Sequence, residues 1–170
     1  MQIIPIELTL LTKENFAPYG RVLEPHTTQP TKSGEGWSCF SDIDRMTPDV
    51  PLMVGLVYCG KMPERISSLE GHTSREELLW ATDKDLIMVV SEPEEIDNKE
   101  RKPSIAKTKA FLIKKGEAVI IGKGTWHSPA FSADGEEAKY FFLVEAKADS
   151  VDQDSAPWIC FDDGNEIMVI

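Results

Sequence analysis

Two histidine-bearing segments, far apart along the chain, contain the residue types that could do chemistry. The first has Glu70, His72 and Glu77 in the pattern E-x-H-x4-E, and the second has His127. In a strand, Glu70 and His72 point to the same face, and the polar residues 73–75 can turn the chain so that one of the next two glutamates returns toward that face. If the two segments meet, two imidazoles and two carboxylates would share one site.

This residue set is suited to two kinds of chemistry. Imidazole and carboxylate together favour zinc, manganese, iron or nickel over calcium, with His72, Glu77 and His127 as candidate ligands. The same groups suit metal-free acid–base catalysis, because a histidine beside carboxylates can titrate near neutral pH. In a third interpretation the glutamates are solvated and Arg75 pairs with Glu76 or with Glu77. The location of both histidines beside glycines, between strands, favours a site.

The second histidine follows a strand and a glycine turn. Residues 118–121 form a continuous apolar run between two glycine-containing turns, which predicts a short buried strand. The next strand is predicted to begin at Thr125, with Trp126 and His127 on opposite faces. Because Pro129 cannot donate to a ladder, we expect this strand to end or bulge there, at the rim of a barrel.

The rest of the chain predicts an all-β fold. Short apolar runs recur about every 8–12 residues with turn residues between them, and helical periodicity is almost absent, which favours a jelly roll with few short helices. The predicted strands are residues 3–8, 20–24, 37–40, 52–58, 66–69, 78–81, 86–90, 110–113, 118–121, 140–145, 158–161 and 166–170. One helical turn is predicted after Thr12, which can cap it.

Three local predictions concern how these strands are used. Residues 52–58, rich in β-branched and aromatic types, are predicted to form a central strand. Residues 78–81 and 86–90, separated by a short polar turn, are predicted to form a hairpin. Residues 91–103 are almost wholly charged or turn-forming, and we expect a solvated loop without chemistry.

Composition limits the classes of function. The 170 residues suit a single domain over residues 1–170, and 29 acidic against 18 basic residues, a formal net charge of −11, argue against nucleic acid and anionic membranes as partners. Cys39, Cys59 and Cys160 are widely spaced and are predicted to be buried thiols. No leader or membrane-spanning run is evident, so we expect a cytoplasmic protein. His26, in a loop rich in proline and threonine, is predicted to be on the surface.

Several motifs occur in the order of one enzyme family. They are E-x-H-x4-E at residues 70–77, Ala110-Phe111, Gly116 and W-H-x-P at residues 126–129, preceded by F-A-P-Y-G at residues 16–20. Together, over roughly residues 10–146, they resemble the ureidoglycolate lyase (ureidoglycolate hydrolase) family of cupins. The resemblance implies a cupin-type double-stranded β-helix, a jelly-roll barrel with its site in the mouth. It also implies cleavage of ureidoglycolate to glyoxylate and urea in allantoin and purine catabolism.

That reaction needs a base for the carbinol hydroxyl, a proton donor for the departing urea nitrogen and a positive group for the carboxylate. On this resemblance, we assign the base or ligand role to His72 and Glu77, and the acid or ligand role to His127. The predicted substrate-binding residues are Glu70 and Trp126, with a bound ion, Arg75 or Lys123 supplying the positive charge.

Departures from the family pattern keep two alternatives open. Members usually carry a second histidine where this chain has Ser128, a glutamine where it has Glu77, and an aspartate-arginine pair at residues 145–146. The glutamate favours a metal-dependent cupin isomerase or epimerase acting on another small acidic or polyhydroxy metabolite. The missing histidine and arginine favour a non-catalytic, metabolite-binding cupin. The resemblance also implies a homodimer, for which residues 158–170 could supply an edge strand.

Overall fold

The protein is built almost entirely from short β-strands. The computed structural model describes residues 1–24, 29–41, 43–48, 50–145 and 158–170. The strands within these ranges are β1 (Ile3–Ile6), β2 (Leu8–Leu10), β3 (Gly20–Val22), β4 (Lys32–Gly34), β5 (Trp37–Cys39), β6 (Leu52–Cys59), β7 (Ser68–Gly71), β8 (Glu77–Ala81), β9 (Leu86–Ser91), β10 (Thr108–Ile113), β11 (Ala118–Ile121), β12 (Trp126–His127), β13 (Phe131–Ser132), β14 (Ala138–Glu145), β15 (Ile159–Cys160) and β16 (Glu166–Val169). The prediction of an all-β protein is confirmed.

Helical structure in the described ranges is limited to the single turn α1 (Lys13–Phe16) and a 3-10 turn at Ile105–Lys107. The Thr12 hydroxyl accepts a hydrogen bond from the Asn15 amide at 3.2 Å, and the Asn15 side chain accepts one from the Thr12 amide at 2.8 Å. This reciprocal capping box confirms the predicted start of the turn. No helix in the described residues is long and apolar enough to cross a membrane.

Two sheets face each other across the main core. One has the strand order β15-β7-β12-β9-β10-β2, with β13 also pairing with β9, and the other has the order β3-β11-β8-β14-β6. Alternation along the strands sends Met88 and Phe111 from the first sheet, and Leu79 and Val119 from the second, into one buried cluster. The sheets therefore enclose a jelly-roll-type barrel, in which the functional side chains replace part of the apolar filling at one end.

A second core covers the outside of the larger sheet. Strands β1 and β16 pair in parallel, and Ile167 of β16 packs with Val89, Ala110 and Trp126 of that sheet. The C-terminal residues thus pair within their own chain, since β15 also pairs with β7. The expectation that this tail supplies an edge strand to a second copy stays a prediction, since β15 is the end strand of its sheet.

Two predictions about the neighbours of strands are wrong. Strands β8 and β9 do not form a hairpin, because β8 pairs with β11 and β14 while β9 pairs with β10, β12 and β13. The short turn between them connects the two sheets. Strand β6 is not central but lies at an edge, paired with β14, and its Val54 and Tyr58 are 68% and 66% exposed. β-branched and aromatic residues thus indicated a strand but not its place in the sheet.

The cysteine prediction is wrong as well. Cys39 and Cys160 are exposed, and Cys59 is half-buried beside the main core. All three are free thiols. His26 lies outside the described residues.

Candidate functional site

The two histidine-bearing segments meet as neighbouring strands. In the antiparallel pairing of β7 with β12, Gly71 lies opposite Trp126 and Glu70 lies opposite His127. The Gly124 amide donates to the His72 carbonyl at 2.7 Å, and Gly124 has φ +80°, a conformation that favours glycine. As expected, the strand after this turn stops before Pro129. The His72 and His127 rings come to a centroid distance of 5.4 Å.

Glu77 reaches the histidines from the opposite sheet. It begins β8, where Val144 of β14 lies opposite it, and its Oε2 lies 3.6 Å from His72 Nε2. One ligand-type atom from each of His72, Glu77 and His127 lies within 4.8 Å of the others. The turn of residues 73–76 therefore connects two members of this cluster, His72 and Glu77, across the barrel mouth.

A cavity of about 290 Å³ opens beside this cluster. Its polar lining is Glu70, His72, Arg75, Glu77 and Tyr140, and its apolar wall includes Phe142 and Val144. His127 is 2% exposed and is not part of this lining, but its Nδ1 lies 3.7 Å from Oε1 of the lining residue Glu70. The cavity is suited to a small polar molecule that makes several charged contacts.

The two histidines carry their protons on different ring nitrogens. An Arg75 Nη2 lies 3.3 Å from His72 Nδ1, and because a guanidinium only donates, neutral His72 accepts at Nδ1 and holds its hydrogen on Nε2, toward Glu77. His127 Nδ1 lies 3.3 Å from the Ser128 carbonyl, so this nitrogen donates. His127 Nε2 is then a buried acceptor, without a hydrogen-bond partner among the described residues.

These protons decide how well the cluster fits a divalent ion. A histidine that binds metal through Nε2 donates Nδ1–H to a carboxylate or carbonyl. His127 meets this requirement, whereas His72 has a cation at Nδ1. The three side chains are placed as metal ligands could be, but the proton position on His72 and the charge of Arg75 oppose an ion at this position.

The sequence model of the ureidoglycolate lyase family matches residues 3–160, a range that includes every residue of the cluster. This chain belongs to the ureidoglycolate lyase family. The resemblance inferred from the E-x-H-x4-E and W-H-x-P motifs is thereby confirmed. A search of curated proteins found no match.

The solved structures that match this chain have low sequence identity to it. A 3,4-ketoisomerase from Helicobacter canadensis is 17% identical, with 63% of this chain and 66% of that chain covered and a TM-score of 0.40. A dTDP-4-dehydrorhamnose 3,5-epimerase from Bacillus anthracis str. Ames is 12% identical, with 59% and 55% covered and a TM-score of 0.42. This chain spans about two thirds or less of either structure, and no activity is carried over from them.

The pKa values of the His72–Glu77 pair in this ureidoglycolate lyase family member depend on burial and mutual attraction. Burial alone lowers the pKa of His72, but the hydrogen bond and charge of Glu77 outweigh it, so that the pKa is raised. Burial alone raises the pKa of Glu77, but the hydrogen bond from His72 and the charges of His127, His72 and Arg75 lower it. Glu77 therefore favours the charged form of His72 and His72 favours the carboxylate of Glu77, whereas the charge of Arg75 beside Nδ1 opposes the charged form of His72.

This pairing predicts a pH-dependent stability. The lowered pKa of Glu77 stabilises the fold above pH 4.5, its ordinary value, and this contribution is lost as the pH falls through the folded-state pKa. The raised pKa of His72 stabilises the fold below pH 6.5, its ordinary value, and this contribution is lost as the pH rises through the folded-state pKa. We expect the pair to contribute most between these two values, on the order of 1 kcal/mol.

Urea unfolding of wild type and His72→Gln across acid to mildly alkaline pH measures this contribution. The difference in unfolding free energy between the two proteins should peak in that window and shrink on both sides. A difference that stays constant with pH would show that the pair is not linked to folding in this way.

Of the other predicted site residues, Arg75 lines the cavity, whereas Lys123 and Trp126 do not. Arg75 is 6% exposed and lines the cavity, while its Nη1 donates to the Glu145 carbonyl at 3.4 Å. Glu76 instead pairs with Arg21 at 2.7 Å, away from the cavity. Neither Lys123, which is exposed, nor Trp126, which is buried in the outer core, belongs to the cavity lining.

Tyr140 is a cavity residue that the sequence analysis missed. Its hydroxyl accepts a hydrogen bond from the Ala130 amide at 3.4 Å. Burial, together with the charge of Glu77, raises the pKa of Tyr140, so the hydroxyl keeps its proton and can donate to a ligand. Period-two alternation in β14 was the available signal, because it directs Tyr140, Phe142 and Val144 to the face that Glu77 occupies on β8.

Proposed function

We propose that this protein is a lyase that cleaves ureidoglycolate to glyoxylate and urea, a reaction of allantoin and purine catabolism, in the cytoplasm. Family membership supports the reaction class. The observation that carries the mechanism is the unpartnered acceptor on His127 Nε2, beside an imidazole–carboxylate pair at a small cavity that contains a buried arginine. Equal release of glyoxylate and urea from ureidoglycolate by the purified protein tests the proposal, and release no faster than without enzyme would contradict it.

His127 is the proposed base. Since its Nδ1–H is directed at the Ser128 carbonyl, the lone pair on Nε2 is available to take the proton of the carbinol hydroxyl. The electron pair of that O–H bond becomes the second bond of the glyoxylate carbonyl. This assignment differs from the expectation from the sequence, which gave a base or ligand role to His72 and Glu77 and an acid or ligand role to His127.

His72 is the proposed proton donor. As the carbonyl forms, the C–N bond breaks and its electron pair passes to the urea nitrogen, which takes the proton from His72 Nε2. Glu77, at 3.6 Å from that nitrogen, orients the ring and favours its charged form. His127 thus acts at the carbinol oxygen and His72 acts at the urea nitrogen. The 5.4 Å between the centroids of the two rings is consistent with this arrangement.

Charged groups of the cavity are proposed to orient the substrate. Arg75 supplies the positive charge for the substrate carboxylate, because it is the cavity's arginine and a guanidinium can bind a carboxylate through two hydrogen bonds. Glu70 accepts hydrogen bonds from the ureido N–H groups. Lys123, which is exposed, and Trp126, which is buried in the outer core, have no role in this mechanism.

Metal removal distinguishes this lyase from the metal-dependent isomerase or epimerase alternative. Because Arg75 occupies the position next to His72 Nδ1, we expect the purified protein to hold less than stoichiometric metal and to keep its full rate of urea release after dialysis against EDTA. Elemental analysis and the urea assay on the same samples measure both quantities. Stoichiometric zinc, manganese, iron or nickel, with a rate that falls on removal and returns on addition, would favour the alternative.

The protein is also proposed to form a homodimer through the outer face of the five-stranded sheet. Leu56, Phe141 and Trp80 lie side by side across β6, β14 and β8, and they are 41%, 39% and 48% exposed. Such a contiguous apolar surface favours association with a second copy. We propose this surface in preference to the C-terminal residues suggested by the sequence analysis, because its exposed apolar side chains are adjacent.

Light scattering measures the proposed association. We expect wild type at twice the 19.0 kDa chain mass and Leu56→Glu with Trp80→Glu at the single chain mass. Leu10→Glu is the matched control, because Leu10 is 61% exposed but lies in the other sheet, and it should leave the dimer intact. A wild-type protein of single chain mass would contradict the proposal.

A further inference from the structure

Arg101 connects the backbones of the two histidine-bearing segments. It lies in the charged loop between β9 and β10, where the sequence analysis expected no chemistry. Its Nη1 donates to the Gly124 carbonyl at 2.8 Å, and its Nη2 lies 3.3 Å from the Gly71 carbonyl. Gly71 directly precedes His72, and Gly124 ends the turn that leads into β12 and His127. One guanidinium therefore bridges both segments.

The guanidinium also lies over the ring of Trp126. The Arg101 Cζ lies 4.0 Å from the centroid of the Trp126 ring, within range for a cation–π contact. A Cβ at residue 71 would lie 2.7 Å from the Trp126 ring and 3.1 Å from Arg101 Nη2. Glycine at position 71 of the E-x-H motif thus leaves space for both side chains to lie against the β7 backbone.

The strand pairing that Arg101 reinforces is short. β12 has two residues, and its ladder with β7 consists of two residue pairs. The Gly124 amide adds one hydrogen bond to the His72 carbonyl. Two guanidinium hydrogen bonds and a ring contact are therefore a large part of what keeps His72 and His127 in register.

From this geometry we infer that Arg101 is a positioning residue that sets the separation of His72 and His127. It is absent from the cavity lining and acts through the backbone. Its effect on turnover rests on the proposed lyase function, whereas its effect on the histidine positions does not. Lysine cannot replace it, because an ammonium lacks the planar pair of donors that spans two carbonyls while stacking on a ring.

Two readouts on Arg101→Gln, Arg101→Lys and the control Lys102→Gln test this inference. Lys102 is an exposed cation of the same loop, so its variant removes the same charge without the bridge. The first readout is the imidazole signals of His72 and His127 in protein labelled with 15N-histidine, assigned with single His→Gln variants. The second is kcat and KM for urea release, measured below the onset of unfolding of each variant.

We expect both imidazole signals to shift in Arg101→Gln but not in Lys102→Gln. We also expect kcat to fall about 10- to 100-fold with a smaller change in KM, as for residues that orient catalytic groups. Arg101→Lys should resemble Arg101→Gln, and it supplies the same comparison if the glutamine variant does not fold. Unmoved imidazole signals, or a lysine variant with wild-type signals, would overturn the inference. If wild type released no urea, the proposed function would fail while the imidazole signals still tested Arg101.

Discussion

Replacing His127 with glutamine is expected to lower kcat for urea release about 1,000-fold, the scale of a lost general base. The reason for this loss is that the proposed proton acceptor is the lone pair on His127 Nε2. His127 Nδ1 is directed at the Ser128 carbonyl, and Nε2 has no hydrogen-bond partner among the described residues although it is buried. A glutamine side chain can still form hydrogen bonds there but cannot accept the carbinol proton.

The controls for this prediction use the other two histidines. His72→Gln removes the proposed proton donor and should also reduce kcat, whereas His26→Gln should behave as wild type. Near-ultraviolet circular dichroism checks that each variant keeps its tertiary packing. A folded His127→Gln protein with wild-type kcat would remove His127 from the mechanism and return the base role to His72 and Glu77.

Local patterns predicted most strands, but they did not predict which strands would be neighbours. The apolar run of β11 and the glycine turn after it are short-range features that the sequence displays directly. Pairing depends on the whole barrel, which explains why β8 and β9 join different sheets despite the hairpin-length turn between them. The same reasoning applies to β6, whose apolar side chains lie on an exposed outer face.

The sequence indicated which residues of the two histidine-bearing segments come together, but not which ring nitrogen of each histidine carries the proton. The spacing of Glu70, His72 and Glu77 indicated that these residues share a face, and both glycine turns were visible in the sequence. The proton positions depend on Arg75 beside one ring and on a backbone carbonyl beside the other. Such contacts arise only in three dimensions, and they are the reason why the proposed acid and base roles differ from those expected from the sequence.

Arg101 and Trp126 illustrate the same limit. Trp126 was predicted to bind substrate although period-two alternation already directed it away from the face of His127, and it lies in the outer core. Arg101 resembled every other charged residue of its loop. Its significance depends on how that loop folds against Gly71 and Gly124, which no local pattern records.

Removing the cation of the cavity is expected to have the second large effect. Arg75→Met should lower kcat/KM for ureidoglycolate about 150-fold, corresponding to about 3 kcal/mol for a buried, charge-assisted interaction with the substrate carboxylate. The lost carboxylate contact should appear in KM, because the carboxylate is bound equally before and during cleavage, and the lost contact with His72 Nδ1 should appear as a smaller fall in kcat. Arg75→Lys should recover part of the lost kcat/KM, since an ammonium supplies the charge without the planar pair of donors.

Lys123→Gln is the matched control for Arg75, because the sequence analysis left these two cations as alternatives. Lys123 is exposed and outside the cavity lining, so this variant should keep the wild-type KM. The neutral amide of the substrate provides a second comparison: wild type should bind it as poorly as Arg75→Met binds ureidoglycolate, and Arg75→Met should no longer distinguish the acid from the amide. If Lys123→Gln rather than Arg75→Met lost this discrimination, the carboxylate would have to lie over the glycine turn, and the orientation proposed for the substrate would be reversed.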